Sequence, residues 1–409
     1  MPKGNYIFGL DIGTSNIKAV VGEILPNLPV QIISASISPS SGVRRDQVVD
    51  VEDAAESVQK NIEEIEEKIG ERIPECICSI KGPHIKSIAS RGVVAVSRAN
   101  GEISDEDVER VIKAAEAVSL PSNKEIIHTI PKEFIVDKER EIKDPRGMHG
   151  IRLEVECNII FGSSHYINNL IKAVESSGVA VGSLVFSTLA GATAVLSKRQ
   201  KELGVLVLEL SSGSTGICVF EEQTLLYCSV LPVGASHITN DIAIAFQLPI
   251  DLAEKLKIKY GAAESKNILN KEKIQLKELG GEDKVISRKK LVEVIEARNL
   301  EILELVNKEL KKIGRERLLP AGVVLIGGGA KLPGIEELVK AKLHLPCQVG
   351  FPKGVEGIVD KIDDPSFATA VGLLLWQLKE EKQEGRFQKR FQLGKKLSRI
   401  KRWFEELLP

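Results

Sequence analysis

Apolar positions along this chain fall into short β-like runs separated by small polar turns, and two of these units are alike. "YIFGLDIGTSNIKAVVGE" and, much later, "VLVLELSSGSTGICVFEE" each read as strand, acidic residue, Gly/Ser/Thr turn and second strand. Laying Asp11 on Glu209 puts Gly13 on Ser211 and Ser15 on Gly213, an offset of 209 minus 11, or 198 residues. The pattern predicts two related halves, each opening on a β-hairpin. A third unit, "AGVVLIGGGAKLPGIEELV", reads as a buried strand, a turn at Gly327, Gly328 and Gly329, and an amphipathic helix. Between the halves, "SDEDVERVIKAAEAV" has the period of a helix starting from a Ser104 cap. It lies among the strand-like stretches "VAVSR", "KEFIVDKEREI" and "IRLEVECNIIFG".

The turns carry the candidate chemistry. Small residues let backbone N–H groups approach a phosphate chain that a Cβ would obstruct. An acid just before each turn, Asp11 or Glu209, would stand near a phosphate-bound Mg2+ and hold it through water. One such turn is weak; two at matching places point to a nucleotide. The triple glycine alone also suits a plain strand-to-helix turn, because Leu332 stands where a dinucleotide fingerprint needs glycine.

Composition narrows the class. The chain has 409 residues, 43% hydrophobic and 28% charged, with a net charge of -1 from 56 basic and 57 acidic residues. That is the mix of a soluble globular protein of several domains, with no global field favouring nucleic acid or membrane. Cys76, Cys78, Cys157, Cys218, Cys228 and Cys347 lie mostly in apolar runs without a C-x-x-C pair, which predicts buried thiols in a reducing compartment. The start has no secretory signal pattern and no run of about 18 apolar residues occurs, so the expected location is cytoplasmic. Six histidines are scattered without ligand spacing, and no G-x-S-x-G elbow is present.

The C-terminus departs from this balance. From Arg386 onward there are eight Lys/Arg and two Glu. On a helical wheel Leu397, Ile400, Trp403, Phe404, Leu407 and Leu408 share an arc of roughly 140°. Arg399, Lys401, Arg402 and Glu406 lie opposite, and Lys396, beside Lys395 near the helix start, intrudes on the apolar side, where a long side chain can snorkel. Aromatic and leucine residues against a basic face predict a helix lying in an anionic membrane surface, in preference to a packed helix or a nucleic-acid arm. Each basic residue would contribute about 1 kcal/mol and each partly inserted apolar side chain on the order of 1.5 kcal/mol, so one tail binds weakly and many tails on a polymer bind by avidity.

"GLDIGTSNIKAVVGE", "ELSSGSTG", "LPVGASHITNDIA", "LAEKLKIKYG" and "IGGGAKLPGI" follow one another in the order and spacing of the actin-like ATPase superfamily, and the chain resembles its FtsA family along nearly its whole length. The most specific stretch is "GEISDEDVERVIKAAEAVSLPSNKEIIHTIPKEFIVDKEREIKDPRGMHGIRLEVECNIIFG", which resembles that family's inserted subdomain (1C, or SHS2). The resemblance implies an α/β, actin-like (ribonuclease H-like) two-lobed ATPase fold with an inserted small α+β subdomain and a C-terminal amphipathic helix. It implies ATP and Mg2+ in the cleft between the lobes. Asp11, Gly13, Thr14, Ser15, Asn16 and Lys18 match the first phosphate loop, and Glu209, Ser211, Ser212, Gly213, Ser214 and Thr215 the second, with Gly234 just beyond it. Glu254 and Lys257 match ribose and adenine contacts, and Gly327, Gly328, Gly329 and Ala330 the adenosine loop; Asp11 and Glu209 match the Mg2+ positions.

The implied organisation is a first lobe (1A) over 1–83, 163–196 and 364–378, the inserted subdomain over 84–162, and a second lobe with core (2A) over 197–235 and 311–363. An outer part (2B) covers 236–310, a linker 379–393 and the membrane helix 394–409. The implied role is a cell-division adaptor that polymerises head to tail, tethers the FtsZ ring to the inner face of the cytoplasmic membrane at the septum and recruits other divisome proteins, with no nucleic-acid partner. Arg288, Lys289, Lys290 and Arg298 would rim the groove for the FtsZ C-terminal peptide. The alternative is a PilM-like scaffold of a pilus assembly. The second loop departs from the usual D-x-G-x-G-T-T-D, with Glu209, Ser211 and Gly216 in place of Asp, Gly and Asp, and "FSTLAGATAVLSK" lacks the Gln or Glu that positions attacking water. Slow or absent hydrolysis is therefore expected.

Overall fold

The computed structural model describes residues 5–25 and 28–388. β1 (Tyr6–Ile12) and β2 (Asn16–Glu23) form the first hairpin, with Asp11 opposite Lys18, and β3 (Val30–Pro39) extends it. A small hairpin follows, β4 (Val43–Arg44) and β5 (Gln47–Val48), whose turn residues Arg45 and Asp46 both have positive φ, 49° and 56°. α1 (Val51–Ile69) starts where the Asp50 side chain accepts from the N–H groups of Glu52 and Asp53, and stops at Gly70 in the left-handed region. Its buried stripe of Ala54, Val58, Ile62 and Ile65 has the spacing that covers a sheet, and α1 lies on β2 and β3. β6 (Glu75–Ile80) then runs parallel to β1.

The inserted unit comprises β7 (Lys86–Ala95), α2 (Asp105–Glu116), β8 (Lys124–Val136), β9 (Glu139–Ile142) and β10 (Arg152–Ser163), with strand order β7-β10-β8-β9. α2 opens on the expected Ser104, in a reciprocal capping box with Asp107. Two expectations change here. Only the first two residues of "VAVSR" belong to a strand, the end of β7, most of which is exposed or half-buried and carries little apolar signal. "KEFIVDKEREI" is two strands, not one, because Asp137 and Lys138 turn the chain with φ of 48° and 91°.

The chain returns through α3 (Ser164–Ser176), β11 (Ala180–Phe186), α4 (Ser187–Val195) and α5 (Lys198–Leu203). The second hairpin is β12 (Val205–Leu210) and β13 (Thr215–Glu221), with Glu209 opposite Gly216, followed by β14 (Thr224–Leu231). α6 (Ala235–Phe246), α7 (Ile250–Tyr260), the ribbon β15 (Lys273–Gln275) and β16 (Val285–Ser287), and α8 (Arg288–Lys312) enclose a separate apolar core around Ile242, Leu256 and Ile295. β17 (Val323–Ile326), α9 (Ile335–Leu343), β18 (Cys347–Val349), β19 (Val355–Gly357) and α10 (Ala368–Gln388) complete the described chain.

The two large sheets run β11-β6-β1-β2-β3-β19 and β14-β13-β12-β17-β18. From each hairpin outward both have the strand order third, second, first, fourth, fifth, with the fourth and fifth parallel to the first. The duplication suspected from two turns therefore extends to whole sheets. β19 pairs in parallel with β3 of the first sheet, so residues 355–357 leave the second lobe to which the sequence reading had given them. α4 and α10 are central: every residue of α4 but one is buried, and Gly372 of α10 comes so close that a Cβ there would lie 1.9 Å from the Ala190 carbonyl oxygen.

α10 continues to Gln388, where a linker from 379 had been expected; "KEEKQE" consists of good helix formers without proline. Five cysteines are buried and Cys347 is half-buried, all as free thiols. Among the described residues no helix is long and apolar enough to cross a membrane. Lys395, Leu397, Arg399, Ile400, Lys401, Arg402, Trp403, Phe404, Leu407 and Leu408 lie outside the described residues.

Candidate nucleotide-binding site

The two hairpin turns meet. Ser15 Oγ donates to Ser212 Oγ at 2.7 Å, joining one turn to the other directly. Asp46, on the tip of the β4–β5 hairpin, joins them again. Its Oδ1 accepts from Thr14 N and Thr14 Oγ1 at 3.1 and 2.8 Å, and its Oδ2 accepts from Ser214 Oγ at 2.6 Å. Gly213 permits the approach, since a Cβ there would lie 2.4 Å from Thr14 Oγ1. The meeting turns close one end of a cavity of about 430 Å3 between the lobes.

The acids form the cavity floor, and a lysine separates them. Asp11 is 2% exposed and Glu209 3%. Lys81, the residue after β6, places its Nζ 2.8 Å from Asp11 Oδ1 and 3.6 Å from Glu209 Oε1, itself only 7% exposed. Asp11 Oδ1 also accepts from Ser79 Oγ at 2.7 Å. Glu209 Oε2 accepts from Ser187 Oγ and Thr188 Oγ1, both at 2.8 Å, at the N-terminus of α4. Its Oε1 accepts from Ser211 Oγ at 3.2 Å and Thr369 Oγ1 at 3.4 Å.

Burial would raise the Asp11 carboxyl, but the charges of Lys81 and Lys18 and hydrogen bonds from Lys81 and Ser79 hold it below its ordinary value. Burial likewise opposes the charge on Lys81, yet Asp11, Glu209 and Asp46 hold its pKa above the usual lysine value. Lys18, opposite Asp11 in the ladder, is lowered by burial against the pull of Asp11.

The far end is built for a less charged group. Lys257 Nζ lies 2.7 Å from Glu254 Oε2 and donates to Thr239 Oγ1 and the Ala235 carbonyl at 2.8 and 3.2 Å. Thr239 also donates to Glu254. Ile238, Ile302 and Leu332 give an apolar wall beside Gly327, Gly328 and Gly329. Gly327 has φ 87°, and a Cβ there would lie 2.7 Å from the Leu210 carbonyl oxygen. Asn299, 5% exposed in the same wall, has an Nδ2 that is buried without a hydrogen-bond partner. A buried amide donor beside an apolar slot fits a ring-nitrogen acceptor such as a purine presents.

Asp11, Gly13, Thr14, Ser15, Asn16, Lys18, Glu209, Ser211, Ser212, Thr215, Glu254, Lys257 and the three glycines line this one cavity. Gly213, Ser214, Gly234 and Ala330 lie behind it: Ser214 holds Asp46, and Gly234 sits against the Ser211 and Ser212 carbonyls. Sequence reasoning missed Lys81, Asp46, Ser187, Thr188 and Asn299. Only Lys81 left a signal, a lysine closing the buried strand "ECICSI".

The residues between the lobes do not fit a divalent ion held directly by Asp11 and Glu209. Every Glu209 oxygen is engaged, and an ammonium stands between the two carboxylates. Among the described residues no group of three His, Cys, Asp or Glu side chains is placed to hold a metal.

Of the four basic residues proposed for peptide docking, two are engaged within the chain. Arg288 pairs with Glu272 at 2.7 Å, and Arg298 makes a two-pronged pair with Asp241 at 2.6 and 2.9 Å. Lys289 is half-buried and Lys290 exposed at the start of α8. The Arg298–Asp241 pair borders a shallow hollow with Ile244, Val294 and Ala297.

Two facing lobes of one strand order, closed at matched Gly/Ser/Thr hairpins over an interlobe cavity, define an actin-like protein of the ATPase superfamily fold. Solved structures agree. A PilM–PilN type IV pilus biogenesis complex is similar at TM-score 0.64 and 19% identity, covering 90% of this chain and 98% of that one. MreB5 of Spiroplasma citri bound to ADP is similar at TM-score 0.56 and 13% identity, covering 94% and 99%. The family model "SHS2 domain inserted in FTSA" matches residues 82–161, and "Cell division protein FtsA" matches residues 206–372. Cell division protein FtsA of Borreliella burgdorferi is 38% identical, covering 98% of each chain, and that of Pseudomonas aeruginosa 35% identical, covering 92% of this chain and 90% of its own. The chain belongs to the FtsA family of cell-division proteins.

Proposed function

We propose that this chain binds ATP between its lobes, assembles head to tail into filaments and tethers the FtsZ ring to the inner face of the cytoplasmic membrane at the division septum. The observation that carries the reading is the meeting of two matched hairpins, through Ser15–Ser212 and Thr14–Asp46–Ser214, over a cavity whose other end offers Asn299 and the triple glycine. A triphosphate held by both turns would join the lobes, and closing them gives each subunit one shape for assembly. Membership of a cell-division family supports the partners. The likeness to the pilus complex supports a common fold alone.

Turnover is slow or absent in this reading. A general base needs a free lone pair for the proton of attacking water, and both Glu209 oxygens accept from side chains of this chain. The outer part of the second lobe would take the acidic FtsZ peptide at the exposed start of α8, where Lys290 supplies charge that Arg288 and Arg298 already spend internally.

The test is co-sedimentation with anionic vesicles in ATP, comparing the full chain with one ending at Gln388, which retains all of α10. Salt-sensitive pelleting of the full chain alone supports the tether. Equal behaviour of both chains would sink it.

A further inference from the structure

The two acids that the actin-like fold would give to a metal are here given to a lysine, and this reading rests on nucleotide binding in the same cavity. Lys81 Nζ lies 2.8 Å from Asp11 Oδ1 and 3.6 Å from Glu209 Oε1. It also faces the first phosphate turn, since a Cβ built on Gly13 would lie 3.7 Å from it. Asp11, Gly13, Lys81, Glu209 and Ser211 line the same stretch of wall, so the ammonium is on the cavity surface and not hidden behind it.

We infer that Lys81 is the resident cation of the phosphate end and that this chain binds ATP and ADP without needing a divalent metal. A phosphate chain at the two turns needs positive charge between itself and the two acids. In a metal-dependent site the ion supplies that charge and is held by carboxylates through water. Here the ammonium already pairs with Asp11, and its remaining donors can turn to phosphate oxygens. Mg2+ in the same place would sit against a like charge, with no Glu209 oxygen left unengaged. Lys18, across the ladder from Asp11, supplies a second positive charge on the same side.

The experiment measures ATP and ADP dissociation constants for the full chain by calorimetry, in excess Mg2+ and in excess EDTA, beside Lys81→Ala. The expected result is a wild-type affinity that differs by less than about threefold between the two conditions, and a variant that binds at least about tenfold more tightly with Mg2+ than without. Mg2+ alone is also expected to raise the melting temperature of Lys81→Ala, by filling the space between two unpaired carboxylates, and to leave the wild type unmoved. Should Lys81→Ala fail to fold, Lys81→Gln is read in the same way, and the wild-type comparison decides alone. Wild-type binding that falls tenfold or more in EDTA overturns the inference and leaves nucleotide binding intact. A Lys81→Ala variant as indifferent to metal as the wild type also overturns it. No binding in either condition overturns this inference and nucleotide binding together.

Discussion

Thr188 occupies the space that a side chain at position 216 would need: a Cβ built on Gly216 would lie 2.0 Å from Thr188 Oγ1, the hydroxyl that donates to Glu209. The missing acid of the second loop is thus replaced by a packed arrangement. Gly216→Asp is expected to cost about 2–4 kcal/mol, from overpacking plus a buried charge, and not to create turnover. Urea unfolding and a phosphate-release assay check both halves. A stable Gly216→Asp chain that hydrolyses ATP briskly would show that Gly216 alone suppresses turnover.

The same position shows what the sequence could and could not reveal. Asp11 and Glu209 could be aligned because each precedes a turn within its own hairpin, and such local patterns survive in linear order. Thr188 reaches Glu209 from α4 and nothing at its own position announces the contact, while Lys81, from the end of β6, shows only as a lysine closing a buried strand, with no hint of its partner. β19 was assigned to the wrong lobe for a related reason. Three residues carry no period, and only the parallel pairing with β3 says where they belong. α10 ran past its expected end because a polar helix of Lys and Glu reads as linker until its apolar half is seen packed on α4.

Asp46 holds the two turns together, but with a carboxylate, using Thr14 N–H and two hydroxyls that would otherwise serve phosphate. Asn retains the acceptor for Thr14 and removes the charge. Two like charges about 5 Å apart at an effective dielectric of about 20 repel by roughly 3 kcal/mol, more than the roughly 1 kcal/mol of one lost hydrogen bond. Asp46→Asn is therefore expected to tighten ATP binding about tenfold, with a smaller gain for ADP. Calorimetry on the two chains decides; weaker binding would mean that holding the turns matters more than repelling the phosphates.

Two buried histidines are expected to weaken the fold in mild acid. Burial lowers His128 to about 4, where its Nε2 accepts from Phe186 N, and burial with the charge of Lys124 lowers His84 to about 4, where its Nδ1 accepts from Ser163 N. A folded pKa below the unfolded 6.5 means the unfolded chain takes up protons first. Their contribution is whole above the unfolded value and is lost as pH falls from 6.5 to about 4. The loss is on the order of 3 kcal/mol for each histidine. Urea midpoints across that window should fall steeply for the wild type and less so for His128→Gln. Parallel slopes would place the acid sensitivity elsewhere.

The inserted unit also guards an edge. β14 ends the second sheet, and an uncovered edge strand invites pairing with another chain. Ser87 Oγ of β7 donates to the Cys228 carbonyl at 2.7 Å, and Asn158 Nδ2 of β10 donates to the Leu225 and Leu226 carbonyls. These contacts cross from the insertion to β14, so the insertion's position depends on carbonyls of the second lobe. Asn158 is 8% exposed, and Asn158→Ala removes the amide donor from the buried Leu225 carbonyl and the half-buried Leu226 carbonyl, at a cost of about 1–3 kcal/mol. The same change should free the two units from each other. Hydrogen exchange read by mass spectrometry is expected to rise in peptides covering 224–231 and 86–95 and to stay unchanged in β1 and β2. If exchange rises throughout the chain instead, Asn158 serves global stability and the insertion is not separately latched.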